Sequence, residues 1–105
     1  MRACGAFVAV GDATQRPSVR RRVVVHGRVQ GVFFRESTRR LAEAHGVAGW
    51  VRNAADGTVE GVFEGTRDAV ERMLRFCREG PRGAVVESVE VFEEAAQGMS
   101  GFWIR

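Results

Sequence analysis

The chain has 105 residues, of which 45% are hydrophobic and 28% charged, with a formal net charge of +3. A chain of that length forms one domain with a two-layer core that needs no disulfide or metal staple, and the composition excludes disorder of the whole chain. Every one of the 16 basic residues is an arginine; the mild positive balance permits nucleic-acid binding without arguing for it.

Residues 1–19 read as an N-terminal extension, because Gly5, Gly11, Asp12 and Pro17 interrupt any apolar period. The extension lacks a convincing signal-cleavage site, and no run approaches the ~18–20 apolar residues of a membrane span. Cys4 and Cys77 fall in no CxxC or Cys/His spacing. A reduced, cytoplasmic protein is expected, with Cys77 a packed thiol on an apolar helix face.

The regular domain is placed at 20–105. "RRRVVVHG" is a β-branched run ending in glycine and predicts a first strand. Phe34, Thr38, Leu41, Ala42 and His45 fall at helical spacing, and Gly46 supplies the left-handed stop. "VAGWVRN" and "TVEGVFEG", joined through Asp56 and Gly57, predict a β-hairpin with Val59 and Phe63 on one face. Thr66 is an N-cap, followed by Val70, Met73, Leu74 and Cys77 at i, i+3, i+4, i+7 before Gly80 and Pro81. "AVVESVEVFEE", with Val85, Glu87, Val89 and Val91 on one parity, and the terminal "FWIR" complete the strands. The order is βαββαβ with a short fifth strand: an antiparallel sheet, two helices on one face and the other face wet.

"GRVQGVFFR", residues 27–35, spans the turn from the first strand into the first helix. Gly27 and Gly31 let the backbone take positive φ and let another group approach closely. The helix start offers unpaired N–H groups and the positive end of the dipole, which together make an anion cradle. Arg35 adds a planar fork of donors suited to phosphate or carboxylate. Phe33 and Phe34 would wall the cradle and anchor the helix.

The motif "GRVQGVFFR", followed by "GWVRN" at 49–53 and "DG.VEG" at 56–61, is similar to the signature of the acylphosphatase family, a resemblance covering about residues 20–105. It implies a ferredoxin-like α+β sandwich that hydrolyses the carboxyl–phosphate bond of acyl phosphates with no metal and no cofactor. The family's catalytic arginine falls on Arg35 and its catalytic asparagine on Asn53. Its phosphate-cradling amides fall on Gln30, Gly31, Val32, Phe33 and Phe34, beside Arg35. The implied partners are an acyl phosphate and inorganic phosphate or sulfate as a product-like ligand; no nucleic acid, no membrane and a monomer are expected. The sequence departs from the pattern at Ala54, where threonine is common, and in the extension.

The chemistry agrees when argued from the residues. An acyl phosphate is an activated anhydride with a good leaving group, so positioning and charge stabilisation suffice. Asn53 has an amide that can accept and donate, and so can orient a water. Other candidates read as structural: His45 at a helix end, His26 beside the loop, Glu60 and Glu64 on a solvated sheet face, Ser37 without a base, and Arg20 to Arg22 as a solvated, edge-blunting run. An RNA-binding module of the same topology would need stacking aromatics where this hairpin carries glutamates. A binding domain like those at the N-terminus of hydrogenase maturation proteins is disfavoured by the chain's stand-alone length.

Overall fold

The computed structural model describes residues 18–105, so all but the last two residues of the expected extension, Cys4 included, lie outside the described residues. The elements follow as β1 (Val19–Arg28), α1 (Phe34–His45), β2 (Ala48–Asn53), β3 (Val59–Gly65), α2 (Arg67–Glu79), β4 (Val85–Glu94) and β5 (Phe102–Ile104). The five strands form one sheet in the order β4-β1-β3-β2-β5. Neighbours within the first four are antiparallel, and β5 runs parallel to β2. The sheet is therefore mixed rather than purely antiparallel. After β4 the chain must cross to the opposite edge, four strand spacings or roughly 19 Å away. The linker at 95–101 can span about 23 Å when extended, so β5 begins at the start of β2 and runs alongside it.

Local chemistry produces the helices as the periodicity predicts. Gly46 takes φ 69° at the end of α1, where Val47 N–H donates to the Ala42 carbonyl. Thr66 caps α2 by accepting from the Ala69 N–H at 3.2 Å. The buried faces are Phe34, Thr38 and Ala42 on α1, and Val70, Met73, Leu74 and Cys77 on α2. They pack on Val23 and Val25 of β1, Val51 of β2, Val59 and Phe63 of β3, and Phe102 of β5. Burial pushes the Cys77 thiol up to about 12, so it is a packing group and not a nucleophile.

β4 departs from its expected alternation. The register shifts opposite His26 and Gly27, so Val86 and Val89 reach the core while Val85 is exposed. One extra residue, Glu87, flips the parity. A Cβ on Gly27, whose φ is 128°, would lie 2.1 Å from the Val85 carbonyl oxygen.

The sheet face away from the helices also differs from expectation. β1 is a central strand, so Arg20 to Arg22 blunt no edge. Arg20 is buried and pairs with Glu64 at 3.3 Å and Glu94 at 2.8 Å. Arg22 and Arg52 both pair with Glu60. Glu64, 3% exposed, is not on a solvated face: its carboxylate accepts the N–H groups of Gln97, Gly98 and Met99 at 2.6–3.0 Å. The register explains this ladder, because Arg20 lies opposite both Glu64 and Glu94.

Candidate active site

The ends of β1, β2 and β5 and the start of α1 meet at one corner of the sandwich. The corner begins with parity along β2. Val51 is buried against the helices, and Asn53, two residues on, continues that face to the rim of the core. Its Oδ1 is buried without a hydrogen-bond partner among the described residues. An unpaired buried acceptor costs about 1–3 kcal/mol, and a water or a ligand in the cleft is one group that can answer it, as it can for His26 Nε2, the other such atom among the described residues.

Asn53 lines a cleft of about 300 Å³, together with Gly31, Phe33 and Arg35 of the loop and helix start. Gly31 has φ 76° and Phe33 φ 59°, so the chain turns twice through the left-handed region before α1 begins. For phenylalanine that conformation costs roughly 1–2 kcal/mol. Phe33 is the N-cap of α1 and, unlike Thr66 on α2, its side chain makes no cap hydrogen bond. The first N–H groups of α1 have no intrahelical partner.

Arg35, half-buried, has no hydrogen-bond or ion-pair partner among the described residues. Glu36, Arg39 and Arg40 satisfy one another on the adjoining turn. The Arg39 guanidinium foremost, with Arg40, holds the Glu36 carboxyl below its ordinary range. Glu36 therefore stays ionised with its charge answered by its own helix, and the Arg35 fork remains available.

Gln30 has a different part from its neighbours. Its Nε2 donates to the carbonyls of Ala54 at 2.8 Å and Thr58 at 3.0 Å, tying the loop to the hairpin that carries Asn53. The hairpin turn is closed by Asp56, which accepts from the Thr58 N–H and hydroxyl; the hydroxyl, then the N–H, lowers the Asp56 pKa. The two phenylalanines also divide their roles. Phe34 is buried, its ring 5.8 Å from that of Phe76, whereas Phe33 is 81% exposed and anchors nothing. Val32 packs against the core from the loop's inner side.

Among the residues predicted from sequence, Gly31, Phe33, Phe34, Arg35 and Asn53 share the cleft, while Gln30 braces it from behind. Val29, Glu36 and Ile104 also line it and were not singled out by sequence reasoning. Ile104 shares parity with Phe102, which is buried in the core, but only the pairing of β5 with β2 brings it to the cleft. His26, His45, Ser37, Glu60 and Glu64 do not line the cleft. His26 Nε2 faces Glu90 at 3.4 Å, and His45 is exposed in the last turn of α1. Among the described residues no three His, Cys, Asp or Glu side chains converge as metal ligands would, and no helix is long and apolar enough to cross a membrane.

A family model described as acylphosphatase matches residues 21–104. An acylphosphatase from Rubrobacter xylanophilus is 57% identical over 90% of this chain and 87% of its own length. Among solved structures, an acylphosphatase from Coxiella burnetii superposes with a TM-score of 0.82 at 40% identity, covering 87% of this chain and 96% of that one. One from Bacillus subtilis gives 0.79 at 34% identity, covering 83% and 98%. With the match spanning nearly all of the described residues, the chain belongs to the acylphosphatase family.

Proposed function

We propose that this chain hydrolyses acyl phosphates to a carboxylate and inorganic phosphate, with the phosphoryl group held by the loop amides and Arg35, and the attacking water held by Asn53. The observation that carries the residue roles is the buried Asn53 Oδ1, without a hydrogen-bond partner among the described residues, in the same cleft as Arg35, whose side chain has none among them either. The backbone N–H groups of Gln30 to Phe34 form the cradle, opened by Gly31 and the left-handed Phe33. With Arg35 they supply donors to the three phosphoryl oxygens, the groups that carry charge in a loose transition state.

In the reaction the water oxygen bonds to phosphorus in line with the bridging oxygen. The phosphorus–oxygen bond to the acyl group breaks and its electron pair leaves on the carboxylate. The water's proton passes to a phosphoryl oxygen or to the departing carboxylate. Asn53 Oδ1 accepts one water hydrogen and so aims a lone pair at phosphorus. A cytoplasmic location goes with this reading, as expected from cysteines that fall in no disulfide or metal spacing.

The roles separate kinetically. Arg35 touches the phosphoryl group in both substrate and transition state, so Arg35→Gln is expected to weaken competitive inhibition by phosphate and to cut benzoyl phosphate turnover by ~100-fold or more. Asn53 holds water rather than substrate. Asn53→Ala is expected to cut turnover severely while phosphate binds with near-parental affinity by calorimetry. A folded Asn53→Ala at parental turnover, or an Arg35→Gln that binds phosphate as the parent does, would overturn the assignment. EDTA is expected to leave the parental rate unchanged.

A further inference from the structure

The cleft has more apolar wall than phosphate chemistry uses. Once the phosphoryl group lies against Arg35 and the loop amides, the acyl group must lie along what remains of the lining. Val29 and Phe34 are buried at its base. The Glu36 charge is answered by Arg39 and Arg40. The accessible apolar remainder is Phe33, 81% exposed, and Ile104, 39% exposed, which reach the same cleft from the β1–α1 loop and from β5.

Phe33 is the more telling of the two. It is the sole non-glycine residue with positive φ among the described residues, and its side chain is the most exposed of the large hydrophobic groups. Neither backbone preference nor packing accounts for an aromatic ring there. A strained, exposed residue at a cleft is a pattern associated with ligand contact.

Building on the catalytic reading above, we propose that Phe33 and Ile104 form an apolar clamp for the acyl group, so that the enzyme selects acyl phosphates with aromatic or branched apolar tails over acetyl phosphate. Phe33 offers a flat face and Ile104, on β5, a branched edge. A benzoyl group buries its ring against them; an acetyl group is too short to do so. The clamp holds ground state and transition state alike, so selectivity is expressed mainly in KM.

The test measures kcat and KM for benzoyl phosphate and acetyl phosphate in the parent, in Phe33→Gly and in Ile104→Ala, with circular dichroism confirming each fold. Glycine accepts the left-handed conformation, and Phe33→Asn serves as a second variant that also tolerates it. The ratio of kcat/KM for benzoyl over acetyl phosphate is expected to fall about tenfold in the Phe33 variants, chiefly through KM, and several-fold in Ile104→Ala. An equal loss on both substrates would mean that Phe33 serves the loop and not the acyl group, and would overturn the clamp. An unchanged ratio in Ile104→Ala overturns it as well. Failure of the catalytic reading looks different: the parent then hydrolyses neither substrate.

Discussion

Gly27 and Gly57 both adopt positive φ, at 128° and 92°, yet only one is hemmed in. A Cβ at Gly57 meets nothing within 4 Å, whereas at Gly27 it collides with the backbone of β4. Gly57→Ala is expected to cost only conformational strain, about 1 kcal/mol. Gly27→Ala adds a backbone collision that no rotamer relieves and is expected to cost roughly 3 kcal/mol or more. Urea denaturation of both variants checks this, and equal losses would show that β4 yields at the bulge. These two glycines illustrate what was legible at this scale. The sequence marks Gly27 as a site where another group approaches closely, without saying which group. The visitor is a strand some 60 residues away, a pairing that no local pattern encodes. The ends of elements on which Arg35 and Asn53 sit, a helix start and a strand end, were legible, and the structure brings the two into one cleft; their roles are what the family resemblance implies. Ile104 was not legible as a cleft residue, since its place there depends on the parallel pairing of β5 with β2.

At the scale of elements, the Arg20–Glu64 ladder fixes how β5 reaches the cleft. Periodicity marked Glu60 and Glu64 as facing away from the helices, which is right. It could not show that the linker from β4 to β5 folds over Glu64 and buries it. Burial alone would raise the Glu64 pKa, but the three backbone donors and Arg20 outweigh it and bring the carboxyl below its ordinary value. Glu94 is lowered as well, first by its hydrogen bond to Arg20. Because folding lowers these values, the folded protein binds fewer protons than the unfolded chain across the titration. The stabilisation is therefore complete above the ordinary carboxylate pKa and is lost as pH falls through the folded values. Stability to urea is expected to be flat near neutrality and to drop in acid. Glu64→Gln is expected to be less stable by roughly 3 kcal/mol at pH 7, because Arg20 loses a buried partner, and to show a shallower acid limb. An acid limb as steep as the parent's would remove Glu64 from the account.

For the whole molecule, the same ladder sets the N-terminal boundary. The boundary drawn from sequence fell at Arg20; in the structure Val19 already pairs with Gly65, and Arg20 is held by Glu64 and Glu94. Deleting residues 1–18 is expected to preserve turnover and thermal midpoint. Extending the deletion through Arg20 strands the Glu64 charge and is expected to lower the midpoint by about 5 °C or more. A large loss from the shorter deletion would mean that the domain begins earlier. The strand order β4-β1-β3-β2-β5 has one further consequence. Of the four strand pairings, only β2 with β3 joins neighbours in sequence; the others wait for long segments to close. Loop-closure entropy is therefore spent before most of the sheet can repay it, and refolding is expected on the order of milliseconds to seconds rather than microseconds. The cleft, lined by residues from 29 to 104, is complete only once β5 has closed onto β2.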